Sequence, residues 1–427
     1  MDIINKMSGP GRYLIGEEEK QEILDVLDTG HLFRFGGESD PQYKHKVVSF
    51  EDELKAHLGS EHCLALTGGS VGLLTSLAAL GIGPGDDVIV PGYTFVASIS
   101  AIIWARAVPI LAEIDESLTI DPDDIEKKIT DRTKAIMPVH MLGNPCDMDR
   151  IMSIARKHNL HVVEDCAQAL GASYRGRKVG TIGDMGAYSL NHMKVISAGD
   201  GGAITTNDYD LYHRAFGVHD QGHLPSRYGE EIGKRGIIGL NLRMNELTGA
   251  VALAQVRKLD YILSTLRRNK KLLKDMISDI PGIGFRRIND EEECATLLTI
   301  MFDDKKIADK FASKIGSGNM YDSGWHVYNH MEQILNKKMP TNVGCPFECK
   351  EHGKDVEYAP HMLPQTDDIL SRSVSISIGV VDKGLGSAFG INLLSDEAEI
   401  EAVAAVSYTH LRAHETLRYL VCRLLLE

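Results

Sequence analysis

The chain has 427 residues, 43% apolar and 25% charged, enough for one large α/β domain with a smaller one beside it and unlike a disordered chain. Lys plus Arg is 46 against 60 for Asp plus Glu, so the formal charge is −14, which gives no electrostatic ground for a nucleic-acid or anionic-membrane partner. No run approaches the ~18 apolar residues of a spanning helix, Met1–Lys6 does not read as a secretory signal, and seven sparse cysteines suit reduced thiols, so a cytoplasmic protein is expected.

The first predicted element is a helix through Glu17–Leu27, with Ile23, Val26 and Leu27 at helical spacing and Gly30 as its stop. A loop follows over 31–41. Phe50, Leu54 and Leu58 mark one face of a second helix from Val47 to Leu58, closed by Gly59. His62–Thr67 then reads as a strand, Ser70–Leu80 as a helix of small residues, and Gly81–Asp86 as a turn.

From there strands and helices alternate. Val88–Pro91, Val108–Leu111, Ala135–Val139 and Leu160–Glu164 are short apolar runs, with helices at 96–106, 120–130 and 147–158 between them. Runs that do not alternate, separated by helices, predict buried strands in a mostly parallel sheet. Gly183–Leu190 and Ala203–Thr206 are further strands, 215–240 is a glycine-rich loop, and Asn245–Ser278 is one long helix. Beyond it, strands at 295–302 and 373–378 and helices at 306–315 and 397–406 suggest a smaller α+β domain.

Four local features carry chemistry. Thr67-Gly68-Gly69-Ser70 joins a strand end to a helix start, where unobstructed N–H groups can hold an anion, although Gly-Gly also serves as a simple turn. Glu164-Asp165-Cys166-Ala167-Gln168 follows an apolar strand, at the edge where α/β sheets bind ligands; a helix cap is the plain alternative for Asp165. Lys194 sits in a run with few charges, where desolvation makes an amine nucleophilic, unless the side chain only snorkels to the surface. Asn241–Glu246 precedes the long helix and reads by itself as a capping segment.

The order and spacing of these features resemble the DegT/DnrJ/EryC1/StrS family of fold-type-I, pyridoxal-phosphate-dependent keto-sugar aminotransferases. The resemblance also rests on Gly16-Glu17-Glu18-Glu19, Gly81–Pro91, Thr94-Phe95-Val96-Ala97, Val139–Gly143, Gly183-Asp184 and Gly199–Gly202. It spans about residues 12–275 and weakens toward 406. It implies a large domain with a mostly parallel, mixed seven-stranded sheet and a smaller C-terminal α+β domain. The expected division is an N-terminal helix and loop (1–40), a cofactor-binding domain (41–275) and a small domain (276–406). Ser407–Thr416 resembles a translated sequencing adapter, so 407–427 is read as a non-native tail, with a genuine amphipathic helix as the alternative.

Carried onto this sequence, the resemblance implies that Lys194 bears pyridoxal 5'-phosphate and shuttles the proton, and that Asp165 pairs with the pyridine nitrogen. Gly69, Ser70 and Val71 would hold the phosphate, joined by Ser189. Gln168 would meet the 3′ oxygen or ring face, Phe95 would stack on the ring, and Asn241 would reach the cofactor of a partner subunit. Trp325 and His326 lie where the family places substrate contacts, and Met362–Asp367 resembles the branch that makes an 8-amino octulosonate. Gly68-Gly69-Ser70 replaces the usual Ser-Gly-Thr, and Asp200 the usual Glu. A branch with histidine in place of the lysine dehydrates sugars; here His192 is present, but Lys194 holds the aligned position. Amino transfer from glutamate or glutamine to a keto-sugar or keto-sugar acid by a homodimer is therefore expected, in amino-sugar or surface-polysaccharide synthesis such as that of lipopolysaccharide. A sugar dehydratase or isomerase and a non-catalytic regulatory protein are the alternatives. Cys345, Cys349 and His352 make a poor zinc signature, and no metal is expected.

Overall fold

The computed structural model describes residues 7–37, 39–225, 236–341, 344–348 and 353–424. Its strands are β1 (His62–Leu66), β2 (Asp87–Pro91), β3 (Val108–Ala112), β4 (Thr133–Ile136), β5 (His161–Asp165), β6 (Ser173–Tyr174), β7 (Arg177–Lys178), β8 (Met185–Ser189), β9 (Gly202–Thr206), β10 (Ile283–Phe285), β11 (Leu297–Phe302) and β12 (Ser373–Ser377). Seven form one mixed sheet in the order β1-β9-β8-β5-β4-β2-β3. Pairing is parallel from β8 across to β3, and β9 runs antiparallel to both β8 and β1. Strands β2, β8 and β9 are buried along their whole length, because helices cover both faces. A second, antiparallel sheet of β10-β11-β12 lies in the C-terminal part, and β6-β7 is a small hairpin.

This topology positions a site. Strands β1, β2, β5 and β8 all point the same way, so their carboxyl ends emerge on one edge of the sheet, where β9 begins. The chain segments 67–70, 93–95, 165–168 and 189–194 follow those ends directly.

Four expectations need correction. The long helix over 245–278 is two helices, Glu246–Val256 and Leu259–Ile277. Arg257 and Lys258 lie at the break and pair with Glu53 and Glu19, holding the two ends on the N-terminal helix Glu17–Thr29 and its neighbour Lys46–Leu58. The span 215–240 is not all loop: the helix Tyr209–His219 enters it, capped by Asp208, whose side chain accepts the Asp210 and Leu211 N–H groups. Residues 226–235 of that span lie outside the described residues. Strand β4 ends at Ile136 rather than 139, since Pro138 has no N–H to give a ladder. The last helix runs Glu397–Leu424, continuous past residue 406. Among the described residues no helix is long and apolar enough to cross a membrane.

The described cysteines divide. Cys63, Cys146, Cys166 and Cys294 are free and buried, whereas Cys345 is disulfide-bonded, so wholly reduced thiols do not hold at that residue. Cys349 and His352 lie outside the described residues.

Candidate active site

Strand alternation sends adjacent acids to opposite faces at the end of β5. Glu164 turns into the protein, where Oε1 accepts the Ile182 and Gly183 N–H groups and Oε2 accepts those of Gly180 and His140 Nε2. His140 Nδ1 accepts the Cys146 N–H at 3.0 Å, so both ring nitrogens are occupied. With Cys166 these residues are close enough to hold a metal ion, but the hydrogen bonds already use the carboxylate and the imidazole. The cluster braces the turn that carries β8.

Asp165 turns the other way, into a cavity of about 340 Å³, and is 4% exposed. Ser98 Oγ donates to its Oδ2 at 2.7 Å and the Ala167 N–H to its Oδ1 at 3.0 Å. The helix-cap alternative is thereby set aside: its carboxylate accepts from a serine hydroxyl and a turn N–H, no helix starts directly after it, and it lines the cavity. Ser98 was not singled out in the sequence, although it stands one helical turn after Thr94, whose hydroxyl it meets at 2.7 Å.

Lys194 lines the same cavity. Burial lowers its proton affinity below the ordinary 10.5, and the charges of Asp165 and Asp382 partly restore it. Among the described residues its Nζ has neither a hydrogen-bond nor an ion-pair partner. A desolvated amine without a partner is what a carbonyl-capturing lysine needs.

The Gly-Gly turn behaves as the anion reading requires. The helix Gly69–Ala79 starts beyond Gly68 with no side-chain cap, so its first N–H groups are open. A Cβ at Gly69 would meet Ser189 Cβ at 2.8 Å, so only glycine lets this turn lie against β8. Gly69, Ser70 and Ser189 line the cavity. Val71 lies on the first turn of the helix, outside the lining, where its backbone N–H rather than its side chain is relevant. Gln168 lines the cavity, its Oε1 accepting the Leu142 N–H at 3.0 Å, and among the described residues its NH₂ has no hydrogen-bond partner.

Phe95 is 41% exposed and forms part of the cavity wall, its ring 5.4 Å from that of His326. His326 is 4% exposed; burial lowers its affinity for a proton, to about 3, so the ring is neutral and Nδ1–H donates to the Gly384 carbonyl at 2.8 Å. Trp325 is 52% exposed at the cavity mouth. Its indole occupies the space above Gly384 where a Cβ would stand, 1.3 Å from Nε1.

The structure therefore brings together Lys194, Asp165, Gly69, Ser70, Phe95, Gln168, Ser189, Trp325 and His326. It does not bring in Asn241, which is exposed and bridged to Asp220, outside the cavity. Asp382 and Met7 also line the cavity and carried no sequence signal: Asp382 sits in an ordinary-looking Asp-Lys-Gly turn, and Met7 precedes the first motif.

The site fits pyridoxal phosphate on its own donor set. A half-buried lysine with no partner among the described residues, a buried carboxylate and an uncapped helix N-terminus face one cavity, matching a carbonyl, a ring nitrogen and a phosphate.

The model of the DegT/DnrJ/EryC1/StrS aminotransferase family matches residues 14–380. A GDP-perosamine synthase of Caulobacter vibrioides is 40% identical over 252 residues, 58% of this chain and 64% of that protein. A putative L-glutamine:3-amino-2,3-dideoxy-scyllo-inosose aminotransferase of Streptoalloteichus tenebrarius is 36% identical over 281 residues, 66% of this chain and 65% of that protein. The matches thus span slightly under two thirds of these curated relatives. The crystal structure of 3-amino-5-hydroxybenzoic acid synthase superposes with a TM-score of 0.75 at 25% identity, covering 95% of this chain and 98% of that one. With the sheet order above, this is the fold type I architecture: the mixed seven-stranded sheet with a smaller C-terminal α+β part.

Proposed function

The chain belongs to the DegT/DnrJ/EryC1/StrS aminotransferase family, and from that premise we propose that it moves an amino group from L-glutamate or L-glutamine to a keto-sugar, keto-cyclitol or keto-sugar acid, with pyridoxal 5'-phosphate as cofactor. The observation that carries this reading is Lys194, desolvated and unpaired beside buried Asp165 and an open helix N-terminus. Two relatives named for perosamine and amino-inosose synthesis support the acceptor class.

Bound pyridoxal phosphate supplies an electron sink that acidifies the C–H bond of the amine-bearing carbon. In our reading Lys194 Nζ takes that proton and returns it at the other end of the exchange. Asp165 holds a proton at the ring nitrogen, and Ser98 and the Ala167 N–H fix its carboxylate for the task. The N–H groups of Gly69, Ser70 and Val71 and the Ser189 hydroxyl hold the phosphate. Gln168 NH₂ orients the ring oxygen, and Phe95 covers the ring face. Trp325 and neutral His326 stand on the acceptor side.

Asn241, exposed outside its own cavity, suits a contact with the cofactor of a second copy, so a symmetric homodimer is part of the proposal, as is a cytoplasmic location. The same proposal divides the chain into an N-terminal helix and loop to residue 40, a cofactor-binding domain to 275 and a small domain to 406. Isotope-labelled glutamate offered with a keto-sugar nucleotide, a keto-cyclitol and a free keto-sugar acid tests the reaction. Label in the product of at least one is expected. A product that lacks nitrogen would replace transfer by dehydration or isomerisation.

A further inference from the structure

Asp382, from the C-terminal part of the chain, lines the cavity together with Lys194. Asp382 is 7% exposed. Its Oδ1 accepts the Gly384 N–H at 2.7 Å, and among the described residues its other oxygen has no hydrogen-bond partner. Asp382 and Lys194 line the main cavity together and also share a second, smaller cavity. A buried carboxylate with an idle oxygen is costly unless a cation or donor meets it. Apart from Lys194 and His192, the residues lining the main cavity offer no basic group besides the neutral His326.

The backbone fixes the two side chains in one frame. Ser8 exchanges two hydrogen bonds with Val381, the residue before Asp382, at 3.1 and 3.0 Å. Gly9 N–H then donates to His192 O at 3.0 Å, and Gly11 N–H to Lys194 O at 3.4 Å. A strap of four residues, Ser8–Gly11, thus joins the segment that carries Asp382 to the segment that carries Lys194. Its fit depends on glycine: a Cβ at Gly9 would lie 2.2 Å from the Met193 carbonyl carbon and 2.6 Å from the Lys194 nitrogen.

We propose that Asp382 is a second counter-charge for Lys194, held in place by the strap Ser8–Gly11, so that two carboxylates share control of the lysine nitrogen. Asp165 is engaged with Ser98, the Ala167 N–H and the proposed ring nitrogen. Asp382 is the acid left to favour the charged form of Lys194 through its field across the shared cavity, without a direct ion pair. The other titratable groups lining the cavity are His192, neutral His326 and Asp200. Asp382 is a positioning residue in this sense. The inference rests on the pyridoxal-phosphate reading of the site.

The test is a pH titration of the lysine-dependent visible absorption band of the cofactor-loaded protein. Asp382→Asn keeps an acceptor for the Gly384 N–H but removes the charge. The midpoint is expected to fall by about one unit, a tenfold loss of proton affinity, while Asp382→Glu stays near wild type. Gly9→Ala is the second variant: it leaves both side chains present but displaces the strap, and should lower the midpoint in the same direction by less. Equal midpoints in wild type and Asp382→Asn would overturn the inference, and so would an equal fall in Asp382→Glu, which would mark a packing effect. If Asp382→Asn does not fold, the Gly9→Ala titration decides alone. Absence of any lysine-dependent band in wild type would instead remove the cofactor reading beneath it.

Discussion

Glu164 and Asp165 are neighbours with unrelated work. Glu164 has four donors in the interior, and Asp165 faces the cavity. Glu164→Ala should strand His140 and three backbone N–H groups and cost about 3–5 kcal/mol, read from a denaturant midpoint at unchanged slope. Gly69→Ala would push against Ser189 and should raise the dissociation constant for pyridoxal phosphate about tenfold, with little change in fold. These residues were legible in different degrees. Asp165, Lys194 and Gly69 each carry a weak local signal with a plain alternative (a strand end, an isolated lysine, a Gly-Gly turn), and only their order and spacing, read as a family resemblance, give them roles. Glu164 looked equally eligible, and only strand direction separates the two acids. Asp382 was invisible because it comes from a turn some 190 residues beyond Lys194 in sequence, and nothing local marks it.

Among elements, the pair His161–Asp184 ties the start of β5 to the turn before β8 at 3.7 Å. The hydrogen bond to Asp184 raises the proton affinity of His161 above the ordinary 6.5. Burial opposes ionisation of Asp184, but His161 and the Val162 N–H outweigh it and hold its pKa below 3.8. The histidine contribution is therefore full below its ordinary value and lost as pH rises through the raised one. The aspartate contribution is full above its ordinary value and lost as pH falls through the lowered one. Melting scans of His161→Asn should show the largest deficit near pH 5 to 6 and almost none at pH 8.5. Caps act at the same scale: Asp208→Ala should cost the helix Tyr209–His219 about 1 kcal/mol. That helix is obscured because its last turn, with Gly217, merges into the glycine-rich span that follows, whereas the Asp208 cap is a signal that marks its start. The break at Arg257-Lys258 was hidden for the opposite reason. Periodicity runs through it, and the cause is tertiary, in the acids of two other helices.

At the scale of the molecule, sheet direction makes the site: β1, β2, β5 and β8 end on one edge, and loops from the C-terminal part close over them. The alternating strand and helix pattern carried the parallel core, because buried runs of four or five apolar residues are distinctive. It could not show that residues 8–11 return across the lysine segment, a contact held by backbone hydrogen bonds between stretches far apart in sequence. In the last helix Leu411 is 3% exposed, so deletion of 407–427 should cost about 2–3 kcal/mol while the cofactor site stays intact. Unchanged stability would support the reading of this tail as foreign. Light scattering of the loaded protein should give twice the chain mass, and a fully active monomer would remove the role of Asn241. The central claim, that Lys194 is the reactive amine of a pyridoxal-phosphate site, is tested most directly by an absorption spectrum of the loaded protein before and after glutamate, beside Lys194→Ala. A violet band in wild type that moves to the near ultraviolet with glutamate, and is missing from the variant, is the predicted result. The same band in Lys194→Ala, or none in either protein, would contradict it.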